Sequence, residues 1–159
     1  MKAVVVTVSD RVSAGTAEDG SGPAAVAKLA EYGFAGADLR VVPDGVESVQ
    51  GILIELIGEY YLVVTTGGTG FAPRDLTPEA TRLVIEREAP GLAEAMRADT
   101  FGRFPHGMLS RGVAGVAGST LIVNLPGSVK AVQESIDVIG PALQHGVELL
   151  IAAQTDHNM

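Results

Sequence analysis

Apolar residues along this chain form short continuous runs that alternate with segments in which they recur every three or four positions. The run Ala3–Val8 is mostly β-branched, which is typical of a strand buried on both faces. Similar runs predict further strands at residues 39–42, 61–64, 113–117 and 120–123. Helical spacing predicts helices at residues 24–32, 48–60, 78–88, 90–103 and 129–150.

The order of these elements predicts an α/β fold of three layers, α/β/α, with a mostly parallel central sheet. Gly118-Ser119 joins the last two strands as a hairpin would, so the sheet is expected to be mixed. Pro141 predicts a bend near Gly140 in the last helix, because proline removes a backbone donor. We expect one domain at residues 1–152 and a frayed tail at residues 153–159.

A glycine-rich loop follows the predicted strand at residues 61–64, where residues 65–70 read Thr-Thr-Gly-Gly-Thr-Gly. Glycines behind a buried strand let the backbone approach a ligand closely, and the neighbouring hydroxyls add hydrogen-bonding groups. The loop lacks the Gly-Lys-Ser/Thr of a phosphate-binding P-loop and the spacing of the dinucleotide fingerprint. By itself, the pattern fits a tight turn as well as a phosphate site.

Other polar residues also follow predicted strands, namely Ser9-Asp10, Asp44 and the segment 124–127. Ligands of α/β sheets bind at the carboxyl ends of the strands, so these loops are expected to meet at one edge. Asp44 and Asp75 could hold Mg²⁺ between phosphate oxygens there. The structural alternative is that Asp44 only forms the Pro43-Asp44-Gly45 turn and that Asp75 is only a local cap before the following helix, which Thr77 can also cap.

Composition limits the partners and the chemistry. The 159 residues carry a formal net charge of -8, without any block of basic residues, so we expect neither a nucleic-acid partner nor a membrane partner. Cysteine is absent, which excludes a thiolate nucleophile and a disulfide framework in this sequence. No signal sequence and no apolar stretch of membrane-spanning length is evident, and we expect a cytoplasmic protein.

Several motifs in order along the chain resemble the molybdopterin-binding family of molybdenum cofactor biosynthesis, the MogA/MoaB group and the G domain of plant Cnx proteins. The glycine loop with its sequel Arg-Asp-Leu-Thr-Pro-Glu at residues 74–79 carries the resemblance most strongly. The remaining motifs are residues 9–13, 19–23, 43–44, 108–111 and 118–127. One departure is Gly45, where relatives commonly have Glu after the Pro-Asp pair.

The resemblance implies a homotrimeric molybdopterin adenylyltransferase, which transfers AMP from ATP to the molybdopterin phosphate with Mg²⁺. It assigns catalysis and Mg²⁺ binding to Asp44 and Asp75, and it suggests a molybdenum-inserting, MoeA-like enzyme as partner. The residues expected to bind substrate and nucleotide are Ser9, Asp10, Ser21, Gly22, Thr66, Gly67, Gly68, Thr69, Gly70, Ser110, Ser119, Asn124, Pro126 and Gly127. Two alternatives stay open: a non-catalytic MoaB-like carrier or scaffold, and a hydrolase of nucleotide diphosphates.

Overall fold

A six-stranded sheet forms the middle layer of the protein, whose computed structural model describes residues 1–157. The strands are β1 (Ala3–Val8), β2 (Asp38–Val42), β3 (Leu62–Thr66), β4 (Arg87–Glu88), β5 (Ala114–Ala117) and β6 (Thr120–Leu125), in the spatial order β2-β1-β3-β6-β5-β4. β1 pairs in parallel with β2 and β3, and β3 with β6, whereas β5 is antiparallel to both of its neighbours. The predicted mixed sheet and its hairpin are therefore confirmed.

Helices cover both faces of the sheet. They are α1 (Asp10–Ser13), α2 (Ser21–Ala30), α3 (Val46–Leu56), α4 (Thr77–Arg82), α5 (Pro90–Thr100) and α6 (Val129–His157), with a 3₁₀ helix at Pro105–Leu109. Alternate side chains of β1 enter different cores: Val5 packs with residues of α2, α5 and α6, and Val4 packs with residues of α3 and α4. This alternation produces the three predicted layers.

The prediction of one helix over residues 78–88 is wrong in its second half. Helix α4 ends at Arg82, and Arg87–Glu88 forms an edge strand that pairs with Gly115 and Val116 of β5. The pairing requires a close approach, since a Cβ atom at Gly115 would lie 2.7 Å from the carbonyl oxygen of Arg87. A contact with a strand nearly thirty residues away in sequence thus overrides the local helical spacing.

The closing helix α6 runs through Pro141 and reaches His157, so residues 153–157 are helical. Residues 158–159 lie outside the described residues, and the frayed tail stays a prediction, as does the bend near Gly140. Within α6, the segment Val129–Thr155 contains an 18-residue window with a mean hydropathy of 1.3, which by length and composition alone would allow a membrane span, so the expectation that no such stretch exists needs correction. Its residues Val132, Ile136 and Ile139 are buried in the core, as in a core helix that passes the same test.

Candidate functional site

The four parallel strands β2, β1, β3 and β6 bring their carboxyl ends to one edge of the sheet. Ser9 follows β1, Asp44 follows β2, Gly67 follows β3 and Pro126 follows β6. The loops also touch directly. The Ser9 N–H donates to the carbonyl of Val42 at 2.9 Å, and the Gly67 N–H donates to the carbonyl of Leu125 at 3.1 Å.

The glycine loop is tightly packed, and at two of its positions there is no space for a side chain. A Cβ atom at Gly67, where φ is 89°, would lie 2.5 Å from the carbonyl oxygen of Val8. At Gly68, where φ is 68°, it would collide with the hydroxyl of Thr77 and approach Asp44 Oδ1 to 3.3 Å. The loop backbone therefore lies against β1 on one side and beside the Asp44 carboxylate on the other.

Thr77 anchors this loop to helix α4 and does not cap the helix. Its hydroxyl donates to the carbonyl of Gly67 at 3.0 Å, and its N–H donates to the carbonyl of Gly68 at 3.1 Å. Leu76 occupies the N-cap position and makes no side-chain cap bond. The expectation that Thr77 caps α4 is wrong, because Thr77 is the first residue of the helix and its hydroxyl is directed at the carbonyl of Gly67.

Asp44 and Asp10 exchange hydrogen bonds across the ends of β2 and β1. The Asp10 N–H donates to Asp44 Oδ2 at 2.9 Å, and the Asp44 N–H donates to Asp10 Oδ1 at 3.1 Å. Partial burial raises the pKa of the Asp44 carboxyl above its ordinary value, and the negative charges of Asp10 and Asp75 raise it further. Asp44 therefore lies where a cation would be electrostatically favoured.

Arg74 neutralises Asp10. Its Nε donates to Asp10 Oδ2 at 2.6 Å, and its Nη2 donates to Asp10 Oδ1 at 3.0 Å and to the carbonyl of Asp44 at 2.7 Å. These bonds hold the pKa of Asp10 below its ordinary value. A side chain at position 45 would begin 3.7 Å from Arg74 Nη2, so an acid there would face Arg74.

Asp75 lies in the loop between the glycines and α4, and Arg111 holds that loop in shape. Asp75 Oδ2 accepts the Ala72 N–H at 3.0 Å. The Arg111 guanidinium donates to the carbonyls of Gly70 at 2.9 Å and Asp75 at 2.6 Å, and it forms an ion pair with Glu79. The bond from Arg111 lowers the pKa of Glu79. Arg111 thus donates its hydrogen bonds to other groups of the protein.

Several predicted binding residues are hydrogen-bonded to other protein groups. The Ser21 and Thr66 hydroxyls lie 2.9 Å apart, and the buried Gly22 donates its N–H to Asp19 at 2.9 Å. Asn124 is 1% exposed; its Nδ2 donates to the hydroxyls of Thr65 and Thr81, and its Oδ1 accepts the Val113 N–H. These groups fix the site's walls.

Ser119 is not brought to this edge. It lies in the turn between β5 and β6, at the amino end of β6, whereas the site lies beyond Leu125 at the carboxyl end. The strand length therefore separates Ser119 from the glycine loop. The motif at residues 118–127 is continuous in sequence, which is why sequence reasoning grouped its two ends together.

A cavity of about 340 Å³ opens beside the glycine loop, between α5, the 3₁₀ helix and α6. Thr69, Gly70, Ser110, Asn124 and Pro126, all predicted site residues, contribute to its wall. Sequence reasoning missed the charged residues that line the rest, Arg97, Asp99, Arg103, Lys130 and Glu134. Their spacing carries no local signal, because α5, the turn that follows it and α6 contribute them from segments that are distant in sequence.

Gly127 closes the edge from the side of β6. A Cβ atom there would lie 3.3 Å from the Cα atom of Gly67, so the loop after β6 packs directly on the glycine loop.

Among the residues that the structure describes, no group of three or more His, Cys, Asp or Glu side chains is placed to hold a metal ion. Any metal here would have to complete its coordination with substrate oxygens or water.

A family model described as "Probable molybdopterin binding domain" matches residues 4–145. The chain belongs to this molybdopterin-binding family. The match covers all six strands except the first residue of β1, together with all four loops of the site, so the resemblance carried by the motifs is confirmed.

Named relatives of this molybdopterin-binding chain include a molybdopterin adenylyltransferase of Helicobacter pylori, 40% identical over 151 residues, or 92% of this chain and 86% of that protein. A gephyrin of Dictyostelium discoideum is 42% identical over 157 residues, but the chain spans only 22% of its length. Among solved structures, the molybdopterin biosynthesis enzyme MoaB of Thermus thermophilus is 43% identical, with a TM-score of 0.88 over 94% of this chain and 95% of that one.

Proposed function

We propose that this protein is a molybdopterin adenylyltransferase, which transfers AMP from ATP to the terminal phosphate of molybdopterin and releases pyrophosphate. The name of the Helicobacter pylori relative, 40% identical over most of both chains, supports the reaction. The observation that carries the proposal is the meeting of the glycine loop with a carboxylate, since Asp44 Oδ1 lies 3.3 Å from the Cβ position of Gly68. Loop amides bind phosphate, and the carboxylate calls for a cation beside it.

The donor set fits a magnesium ion that is shared with the substrate. Asp44 and Asp75 each engage one carboxylate oxygen with a backbone N–H, and their other oxygens accept no hydrogen bond within residues 1–157. Mg²⁺ is commonly held by one or two carboxylates together with substrate phosphates. When bound, the ion supplies charge stabilisation at the phosphates of ATP.

The chain's own residues bind and orient the reactants. The molybdopterin phosphate is already anionic, so no general base is required. One of its oxygens forms a bond to the α-phosphorus of ATP, the bond from that phosphorus to the oxygen bridging to the β-phosphorus breaks, and pyrophosphate leaves with the electron pair. The amides of the glycine loop other than that of Gly67, which donates to Leu125, would donate to phosphate oxygens, while Asp44 and Asp75 would hold the metal and would not abstract a proton.

The test is an assay of purified protein with molybdopterin, ATP and Mg²⁺, in which adenylylated molybdopterin and pyrophosphate should form. Asp75→Ala should lower kcat about a hundredfold or more with a smaller effect on molybdopterin binding, because it removes a group needed for charge stabilisation. Glu86→Gln, an exposed acid near the hairpin turn, is the matched control and should behave as wild type.

Three outcomes would change the proposal. Molybdopterin binding without any product would favour the carrier or scaffold. Release of AMP from ADP-ribose without a pterin would favour the hydrolase. Full turnover by Asp75→Ala would refute the role of that carboxylate.

The proposal also covers the oligomeric state of the protein, its cellular compartment and its partner enzyme. We expect a cytoplasmic homotrimer that passes its product to a molybdenum-inserting, MoeA-like enzyme. Sedimentation equilibrium should give three times the chain mass of 16.3 kDa. A mass of one or two chains would refute the trimer and leave the proposed reaction open.

A further inference from the structure

Arg74 joins three loops of the site through one guanidinium group. It belongs to the loop after β3, and it binds Asp10 after β1 and the carbonyl of Asp44 after β2, which are 64 and 30 residues away in sequence. Its two bonds to Asp10 are bidentate, the arrangement that fixes direction as well as distance. The side chain is nevertheless 62% exposed, so packing alone does not explain its placement.

Asp10 transmits this contact to Asp44. Its Oδ1 accepts both the Arg74 Nη2 bond and the Asp44 N–H, while its own N–H fixes Asp44 Oδ2. Both Asp10 oxygens are therefore occupied by protein donors. Asp44 Oδ1 is left beside Gly68, within reach of a ligand on the glycine loop.

The charges of the cluster explain why a cation is needed. Asp10 and Asp44 each accept the backbone N–H of the other, so the two carboxylates are held close together and their negative charges repel. Arg74 compensates the charge of Asp10, which leaves the charge of Asp44 available to a metal. Without Arg74, two uncompensated carboxylates would face each other, and Asp44 would be expected to turn away.

We infer that Arg74 is a positioning residue: through Asp10, it holds the Asp44 carboxylate at the rim of the glycine loop in the orientation that a substrate-bound metal requires. Asp10 is accordingly a positioning residue as well, and not the substrate-binding residue that the resemblance implies. The inference rests on the proposed function for the identity of the metal. The hydrogen-bonded cluster itself can be tested without any ligand.

The first experiment measures amide hydrogen exchange in the ligand-free protein. The Asp10 and Asp44 amides donate to carboxylates in the cluster, so they should be protected in the wild type. In Arg74→Ala, their exchange should accelerate about tenfold or more, while amides in the middle of β3 stay unchanged. Arg11→Ala is the matched control, because it removes an exposed arginine beside Asp10 and the same unit of charge. It should leave both amides protected.

The second experiment measures Mn²⁺ binding by electron paramagnetic resonance, in the presence of a non-hydrolysable ATP analogue. Changes in groups that orient a metal ligand typically weaken metal affinity about 10- to 100-fold. We expect a loss in that range for Arg74→Ala and Asp10→Asn, with the double variant no worse than the weaker-binding single variant. Arg74→Lys should be intermediate, since an ammonium can restore charge but not the bidentate contact. Arg11→Ala should change the affinity less than twofold.

Each contrary result has a distinct meaning. Equal effects of Arg74→Ala and Arg11→Ala in both experiments would overturn the inference, because only net charge would then matter. Weaker binding of the analogue by Arg74→Ala without metal would identify Arg74 as a direct phosphate ligand and also overturn it. Failure of the proposed function would instead appear as absent product in the wild type, with the exchange pattern of the cluster intact.

Discussion

Gly67 and Gly68 are neighbours in one loop, but each position excludes a side chain for its own steric reason. Gly67 is pressed against the carbonyl of Val8, and Gly68 against the hydroxyl of Thr77. Gly68→Ala would force Thr77 to move and to give up its bond to the Gly67 carbonyl. Left-handed strain and the lost hydrogen bond together should cost about 2–4 kcal/mol. We expect a lower Tm and at least a tenfold loss of ATP affinity, measured by thermal melting and calorimetry.

Gly15→Ala separates the clash from the backbone strain. Gly15 has a similar φ of 76°, and nothing lies within 4 Å of its Cβ position. This variant should therefore show the strain cost alone and leave ATP affinity unchanged. Equal loss of Tm in both variants would mean that contact with Thr77 contributes nothing to the loop.

At the scale of single residues, sequence motifs predicted which residues gather at the candidate site. They did not indicate which of these residues contact a ligand and which hold other residues in position. Asp44, Asp75 and the glycines were predicted because each stands directly after a strand or beside the loop. The positioning role of Asp10 was not predictable, since it depends on Arg74, which lies 64 residues away. Sequence reasoning also could not show that the Asn124 amide is hydrogen-bonded to Thr65, Thr81 and Val113, and its predicted role in substrate binding stays a prediction.

Among the elements, hydrophobic spacing predicted the buried strands well, because β1, β3 and β6 are continuous apolar runs with cores on both sides. It failed at β4, where only two residues pair at the sheet edge. Such a short strand has no period to detect, and the preceding helical spacing extends through it. Helix α1 was not predicted either, because its four residues are too few to show a helical period; the Ser9 side chain caps it by accepting the Val12 N–H at 3.2 Å.

Helices α2 and α6 are linked by a charged cluster whose effect on stability should depend on pH. Asp137 of α6 accepts bonds from Lys28 at 2.9 Å and from the hydroxyl of Tyr32 at 2.6 Å, and Lys28 also pairs with Glu31. The bond from Lys28, followed by that from Tyr32, lowers the pKa of Asp137. The bond to Asp137, followed by that to Glu31, raises the pKa of Lys28.

The sign of the pH effect follows from these shifts. The carboxylate of Asp137 stabilises the fold above its ordinary pKa of about 3.9, and this contribution is lost as the pH falls through the lower native pKa. Lys28 contributes fully below its ordinary pKa of about 10.4 and loses its contribution as the pH rises through the higher native value. Asp137→Asn should lower Tm at pH 7 by a few degrees at most, since the cluster is on the surface, and should flatten the acid decline of Tm.

Glu148→Gln is the control for that change. Glu148 is an exposed acid of the same helix, and it accepts its bond from Gln144 of α6 rather than from α2. In Glu148→Gln, Tm should fall with decreasing pH as it does in the wild type. If both variants flatten the decline equally, the link between α2 and α6 does not contribute to it.

At the scale of the whole molecule, we expect the stability of the fold not to depend on a bound metal ion. Every buried side-chain nitrogen and oxygen among the described residues has a hydrogen-bond partner, so the core needs no ion to satisfy it. Because the chain carries a net charge of -8, ATP is expected to bind well only when Mg²⁺ accompanies it. Chelation by EDTA should therefore change Tm by less than about 1 °C while it abolishes turnover.

Adding ATP and Mg²⁺ together should then stabilise the protein by mass action. At a ligand concentration of 100 times Kd, the free energy of unfolding rises by about 2.7 kcal/mol, which corresponds to a Tm increase of about 5–10 °C for a chain of this size. Asp75→Ala should lose most of this increase and keep the Tm of the unliganded protein, because Asp75 lies in a surface loop and packs in neither core. A fall of Tm by 5 °C or more with EDTA alone would show that a metal belongs to the fold. An undiminished increase in Asp75→Ala would place the metal away from that carboxylate.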